Sequence, residues 1–87
     1  MIRTEMRKSR KIHEIVTGHI VVSARDTDGS ILAIDLITSN GKNYLIADNP
    51  KGEQLIRHVG SKVTLHGDVE KNSFGTIIEV QEYEVFI

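Results

Sequence analysis

Two histidines, each beside a glycine, are the first residues of this chain that suggest chemistry. His19 follows Gly18, and His66 precedes Gly67 with Asp68 just beyond. If the two strands carrying them pair antiparallel, His19 and His66 lie side by side on the outer surface. Two imidazoles and a carboxylate form a donor set for zinc. No local spacing enforces their approach, and two exposed strand histidines account for the same residues, so no metal is assigned. His13 and His58 show no partner in the sequence. A second set is aromatic and basic. Ile37, Lys42 and Tyr44 flank Asn40-Gly41, Arg25 precedes the Asp26–Ser30 stretch, and Phe74 lies in Lys71-Asn72-Ser73-Phe74-Gly75. An exposed Tyr44 beside Ile37 and Lys42 makes a platform for a nucleic-acid base, and such stacking is worth about 1–3 kcal/mol per base. Arg25 offers a guanidinium to phosphate, and Phe74 closes over the ligand. Ordinary structure competes with this reading: Ile37 and Tyr44 as a stabilising cross-strand pair, and Phe74 folded back to cap the molecule. Asp35 and Asp48, expected on the same face, repel phosphate.

Other chemistry has no carrier in the sequence. With no cysteine among 87 residues there is no disulfide, thiolate metal site or cysteine nucleophile. There is no phosphate-cradling glycine loop, no activated-nucleophile pattern and no carboxylate pair at an enforced spacing. The expectation is a protein that is not an enzyme and uses no cofactor. No apolar run approaches the ~20 residues that span a bilayer. The charged N-terminus lacks the apolar core of a signal peptide. No membrane association and a cytoplasmic location are therefore expected.

The net charge of −1 conceals an asymmetry. Residues 1–11 hold five Lys/Arg against Glu5, a net +4, while the remainder holds six against eleven acids, a net −5. A basic arm over 1–11, expected to be flexible, precedes an acidic domain over 12–87. Such arms attract phosphate or an anionic surface, and they also occur as solvated termini.

Most of these residues fall on strands. Residues 13–26 alternate as one long strand, and Gly18 marks a bend or bulge within it. Asp26–Ser30 is a turn. A second strand covers 31–39, with Leu32, Ile34 and Leu36 on one face. Asn40-Gly41 predicts a two-residue type I′ hairpin to a third strand over 42–48. That register sets Ile37 opposite Tyr44, Asp35 opposite Ile46, and Leu36 opposite Leu45 as buried partners. A short helix follows within about 49–59, capped by Asp48 or Asn49, with Pro50 at its first position and Leu55, Ile56 and Val59 as its apolar stripe. Gly60 ends it. The fourth strand, 62–70, turns Val63, Leu65 and Val69 inward. The fifth, 76–87, changes phase near Gln81-Glu82, as a bulge would make it.

This all-β order, β-β-β-α-β-β with one short helix between strands three and four, suits a five-stranded partly open barrel. Val16-Thr17-Gly18-His19-Ile20-Val21 and Val59-Gly60-Ser61-Lys62-Val63-Thr64-Leu65-His66-Gly67-Asp68-Val69 carry a resemblance to the OB-fold superfamily, in particular to small anticodon-binding-type domains. The resemblance covers residues 13–87. It implies a binding face on the second and third strands, flanked by loops 26–30 and 71–75, and a non-catalytic module that binds single-stranded DNA or RNA. Arg25, Ile37, Lys42, Tyr44 and Phe74 are the expected contacts. The acidic body and few aromatics favour the alternative, a protein-interaction or assembly module using that face or a barrel edge.

Overall fold

The structure is a computed structural model that describes residues 11–87. Apart from Lys11, the basic arm lies outside the described residues. The described chain forms β1 (Ile12–Arg25), β2 (Ile31–Thr38), β3 (Asn43–Ile46), α1 (Pro50–Leu55), a 3-10 turn (Ile56–His58), β4 (Lys62–Asn72) and β5 (Gly75–Val85). The strands close into one barrel in the order β1-β2-β3-β5-β4, with β3 parallel to β5 and the other neighbours antiparallel. Closure removes most of the exposed edge that a small open sheet would carry, leaving the first half of β2 unpaired on its β3 side.

Strand β1 serves two neighbours. Its first half, from Ile12 to His19, pairs with β4, and its second half, from Gly18 to Arg25, pairs with β2. Gly18 is the hand-over point. A Cβ there would lie 2.8 Å from the Ile37 carbonyl carbon and 3.1 Å from Leu36 Cγ, with the Ile37 oxygen closer still. Only glycine lets the two backbones meet. The predicted bulge in β5 is also present: His66 pairs with Glu82 but Gly67 pairs with Val80, which leaves Gln81 as the extra residue.

The core contains Ile20, Ile34, Leu36, Tyr44, Leu55, Val63, Leu65, Val69, Ile78 and Val80. Helix α1 supplies Leu55 to it. Asn49 caps the helix by accepting from the Gly52 N–H at 2.7 Å, and it ties the cap to β5 by donating to the Val80 carbonyl at 3.3 Å. Two apolar expectations fail. Val59 is 38% exposed because the helix has ended before it, and Leu32 is 63% exposed because the β1–β2 ladder shifts register and skips it, pairing Ala24 with Ala33 and Arg25 with Ile31, so that Ile31 packs against the core in its place.

The hairpin between β2 and β3 is not the predicted two-residue turn. Gly41 has φ +84°, but no non-glycine residue among those described has positive φ, so Asn40 cannot complete a type I′ turn. The Gly41 N–H instead bonds the Thr38 carbonyl at 2.9 Å, and the Thr38 N–H bonds the Lys42 carbonyl at 2.9 Å. This is a three-residue loop with glycine in the left-handed position. Asn40 Oδ1 accepts from the Thr38 hydroxyl and fastens it. The extra loop residue shifts the register by one: Leu36 pairs with Tyr44, Asp35 with Leu45, and Ile37 with Asn43. A one-residue shift exchanges the two faces of a strand. Tyr44 therefore points into the barrel beside Leu36, and Leu45 lies on the outer side.

Candidate functional site

The aromatic platform expected on the outer face is absent, because Tyr44 is 2% exposed and belongs to the core. Its hydroxyl donates to Glu14 Oε1 at 2.9 Å. Lys42 Nζ sits 5.0 Å from the centre of the Tyr44 ring. The Tyr44 hydroxyl beside it holds the Lys42 ammonium above its usual pKa, and the Glu14 carboxylate adds a smaller push in the same direction. Lys42 is thus engaged with Tyr44 and Glu14.

The other expected contacts are dispersed. Arg25 Nη1 donates to the Gly29 carbonyl at 2.7 Å and braces the β1–β2 turn. Within that turn, Asp28 accepts from the Ser30 hydroxyl and backbone N–H, and these bonds hold its carboxyl below the usual range. This bracing is present above the ordinary carboxylate pKa and is lost as pH falls through the depressed value. Arg25 and Lys42 stand at opposite ends of β2, beside Ile31 and Thr38. Seven steps along a strand separate those positions by roughly 23 Å, so the two cations form no continuous stripe. Phe74 is 86% exposed on the β4–β5 turn and caps nothing.

Ile37 is the one predicted contact that lines a groove. The groove lies outside β1 and β2 where β4 begins, has a volume of about 460 Å³, and is walled by Thr17, His19, Val21, Ile37, Ser39 and Lys62, with Thr38 and Gly18 completing it. Cross-strand register assembles it. His19 stands opposite Ile37 on one side and Lys62 on the other, and Thr17 stands opposite Thr64. Val21 and Ile37 give an apolar floor. Thr17, Thr38 and Ser39 bring hydroxyls; that of Thr17 shares a 2.7 Å hydrogen bond with Thr64 Oγ1. Lys62 Nζ lies 5.0 Å from the centre of the Phe86 ring, which steadies the side chain at the groove edge. The volume falls within the ~300–1,000 Å³ range of small-ligand sites. Sequence reasoning missed Thr17, His19, Val21 and Lys62 as a group.

The histidines are separated by the same register. His19 faces Lys62 while His66 faces Ile15, four positions along the strand pair, or about 13 Å. They cannot share an ion. His66 Nε2 instead lies 3.5 Å from Glu84 Oε1. His13, which shows no partner in the sequence, has Nδ1 3.4 Å from Asp68 Oδ1. His58 packs against Tyr83 with ring centroids 5.9 Å apart.

Asp35 is the anomaly of the outer face. It stands opposite Val21 and two residues before Ile37, is 8% exposed, and its Oδ1 has no hydrogen-bond partner. A buried oxygen without a partner costs about 1–3 kcal/mol or more when charged. Asp35→Val retains a strand-forming side chain and removes that cost. It is expected to stabilise the barrel by about 1–3 kcal/mol. Urea denaturation checks this, and a lower midpoint for the variant contradicts it.

Comparison of the chain with protein-family models, curated proteins and solved structures gives no match. The class established by the fold is a closed five-stranded β-barrel with one short helix between β3 and β4.

Proposed function

We propose that this protein is a non-catalytic binding module of the OB type that holds single-stranded nucleic acid weakly in the groove outside β1 and β2. The observation that carries the reading is the groove itself. It has an apolar floor, hydroxyls on its walls, and Lys62 and His19 along one side. A base lies against Val21 and Ile37 with the His19 ring offering a stacking face, the hydroxyls meet base edges or sugar, and Lys62 meets phosphate. The strand order, the parallel β3–β5 pair and the pairing of one long β1 with both β2 and β4 are consistent with an OB-like barrel. The acidic body keeps the affinity low, and the basic arm supplies long-range attraction.

Fluorescence anisotropy with a labelled oligo-dT at two salt concentrations tests the reading. Lys62→Gln is expected to weaken binding and to flatten the salt slope by about 0.7, one single-strand phosphate contact. Deleting residues 1–11 flattens it further, by at most about 3.5 if all five cations meet phosphate. An intact protein that fails to bind at low salt rejects the proposal. Loss on arm deletion alone, with no effect of Lys62→Gln, means that the groove is idle.

A further inference from the structure

A second concavity lies on the barrel, and its chemistry is opposite to that of the groove. The β2–β3 ladder ends at the Asp35–Leu45 pair. Beyond it β3 leans toward β5, where Ile46 pairs with Ile78 and the Ala47 N–H bonds the Ile78 carbonyl at 2.9 Å. The chain then enters α1, and the first half of β2 is left without a neighbour on that side. The gap is a cleft of about 110 Å³, with Ile34, Ile46 and Ile56 among the aliphatic residues lining it, Leu32 at its edge, and Asp48 and Glu53 also lining it. Neither carboxylate has a cation within ion-pair distance among the described residues.

Size and charge select the occupant. The cleft is well below the ~300 Å³ of small-molecule sites, so it has room for a single side chain. Aliphatic walls with acidic groups suit a long apolar stem that ends in a cation, as Lys and Arg side chains do. Phosphate is repelled. The whole chain is nearly neutral, at −1, but the body over 12–87 holds six Lys/Arg and eleven Asp/Glu, a net −5, so the field around the cleft favours a basic group. We propose that this cleft docks a partner protein through one Lys or Arg side chain of an exposed basic segment. The surface is separate from the nucleic-acid groove, and the inference does not rest on that reading.

The test is a ¹⁵N–¹H NMR titration of the full chain with the peptide acetyl-Ala-Leu-Arg-Leu-Ala-amide, and with the same peptide carrying citrulline in place of arginine. The arginine peptide is expected to give saturable shifts at the amides of Leu32, Ile34, Ala47 and Glu53. The neutral peptide should bind at least tenfold more weakly. The double variant Asp48→Asn, Glu53→Gln should lose the same factor. Neither residue caps the helix, a task that falls to Asn49, so an unchanged spectrum elsewhere shows that the variant is folded. Absence of shifts at the cleft overturns the proposal. So does equal affinity for the two peptides, or undiminished binding by the double variant. An oligo-dT that shifts these same amides overturns it as well, since the cleft would then accept an anion.

Discussion

Gly18→Ala is expected to destabilise the barrel by about 3 kcal/mol or more, the upper part of the range for overpacking a closed site. The added Cβ meets backbone, since the Ile37 carbonyl carbon lies 2.8 Å from its position. A carbonyl cannot swing aside as a side-chain tip can. Relief requires β1 and β2 to separate where β1 passes from β4 to β2, and both ladders run through that residue. Against a total stability of roughly 4–13 kcal/mol for a chain of this length, the variant is left marginal or unfolded. Urea denaturation followed by circular dichroism measures the loss. A midpoint within the scatter of the parent contradicts the close approach.

Tyr44→Ala is the second large effect, about 3–5 kcal/mol, as for aromatic truncation in a packed core. Its cross-strand partner Leu36 is also fully buried, and Leu36→Ala is expected to cost about 2–5 kcal/mol. Tyr44→Phe keeps the packing but removes the hydroxyl that bonds Glu14 and faces Lys42, and loss of the Glu14 bond costs about 1 kcal/mol. Ser39→Ala, in the exposed loop, should stay within about 0.5 kcal/mol of the parent. Thermal or urea unfolding of these four variants reads the hairpin register directly. If Tyr44→Ala leaves stability unchanged, Tyr44 belongs on the surface and the three-residue loop is wrong.

That hairpin marks the boundary of what the sequence discloses. Asn-Gly serves a two-residue type I′ turn, and it serves equally a three-residue loop in which only the glycine is left-handed. The residues on either side do not distinguish the two, yet the difference of one residue moves Tyr44 from the face to the core. The strands, the capped helix, the sharing of one long strand between two neighbours about Gly18 and the β5 bulge at Gln81 were legible because each leaves a local mark: alternation, a cap and proline, an interrupting glycine, a change of phase. Leu32 continues the alternation of Ile34 and Leu36, but the β1–β2 ladder skips it between Ala33 and Ile31, and Ile31 packs against the core instead. A register shift of this kind is set by tertiary pairing, which alternation does not record. The groove was legible only at Ile37. Thr17 and His19 come from one part of β1, Val21 from the next, and Lys62 from the start of β4. Their meeting depends on the β1–β4 register, a pairing of residues more than forty positions apart in sequence. The available signal was the outward parity of Thr17, His19 and Val21, which places them on one face without naming their neighbours.

Residue-resolved mapping decides whether the groove outside β1 and β2 is a nucleic-acid surface. In a ¹⁵N–¹H NMR titration of the full chain with a short oligo-dT, saturable shifts are expected at Thr17, His19, Val21, Ile37, Ser39 and Lys62. Tyr44 and the residues lining the cleft beside α1 should shift far less. Shifts confined to residues 1–11, or no shifts at low salt, would mean that the groove is not a nucleic-acid surface.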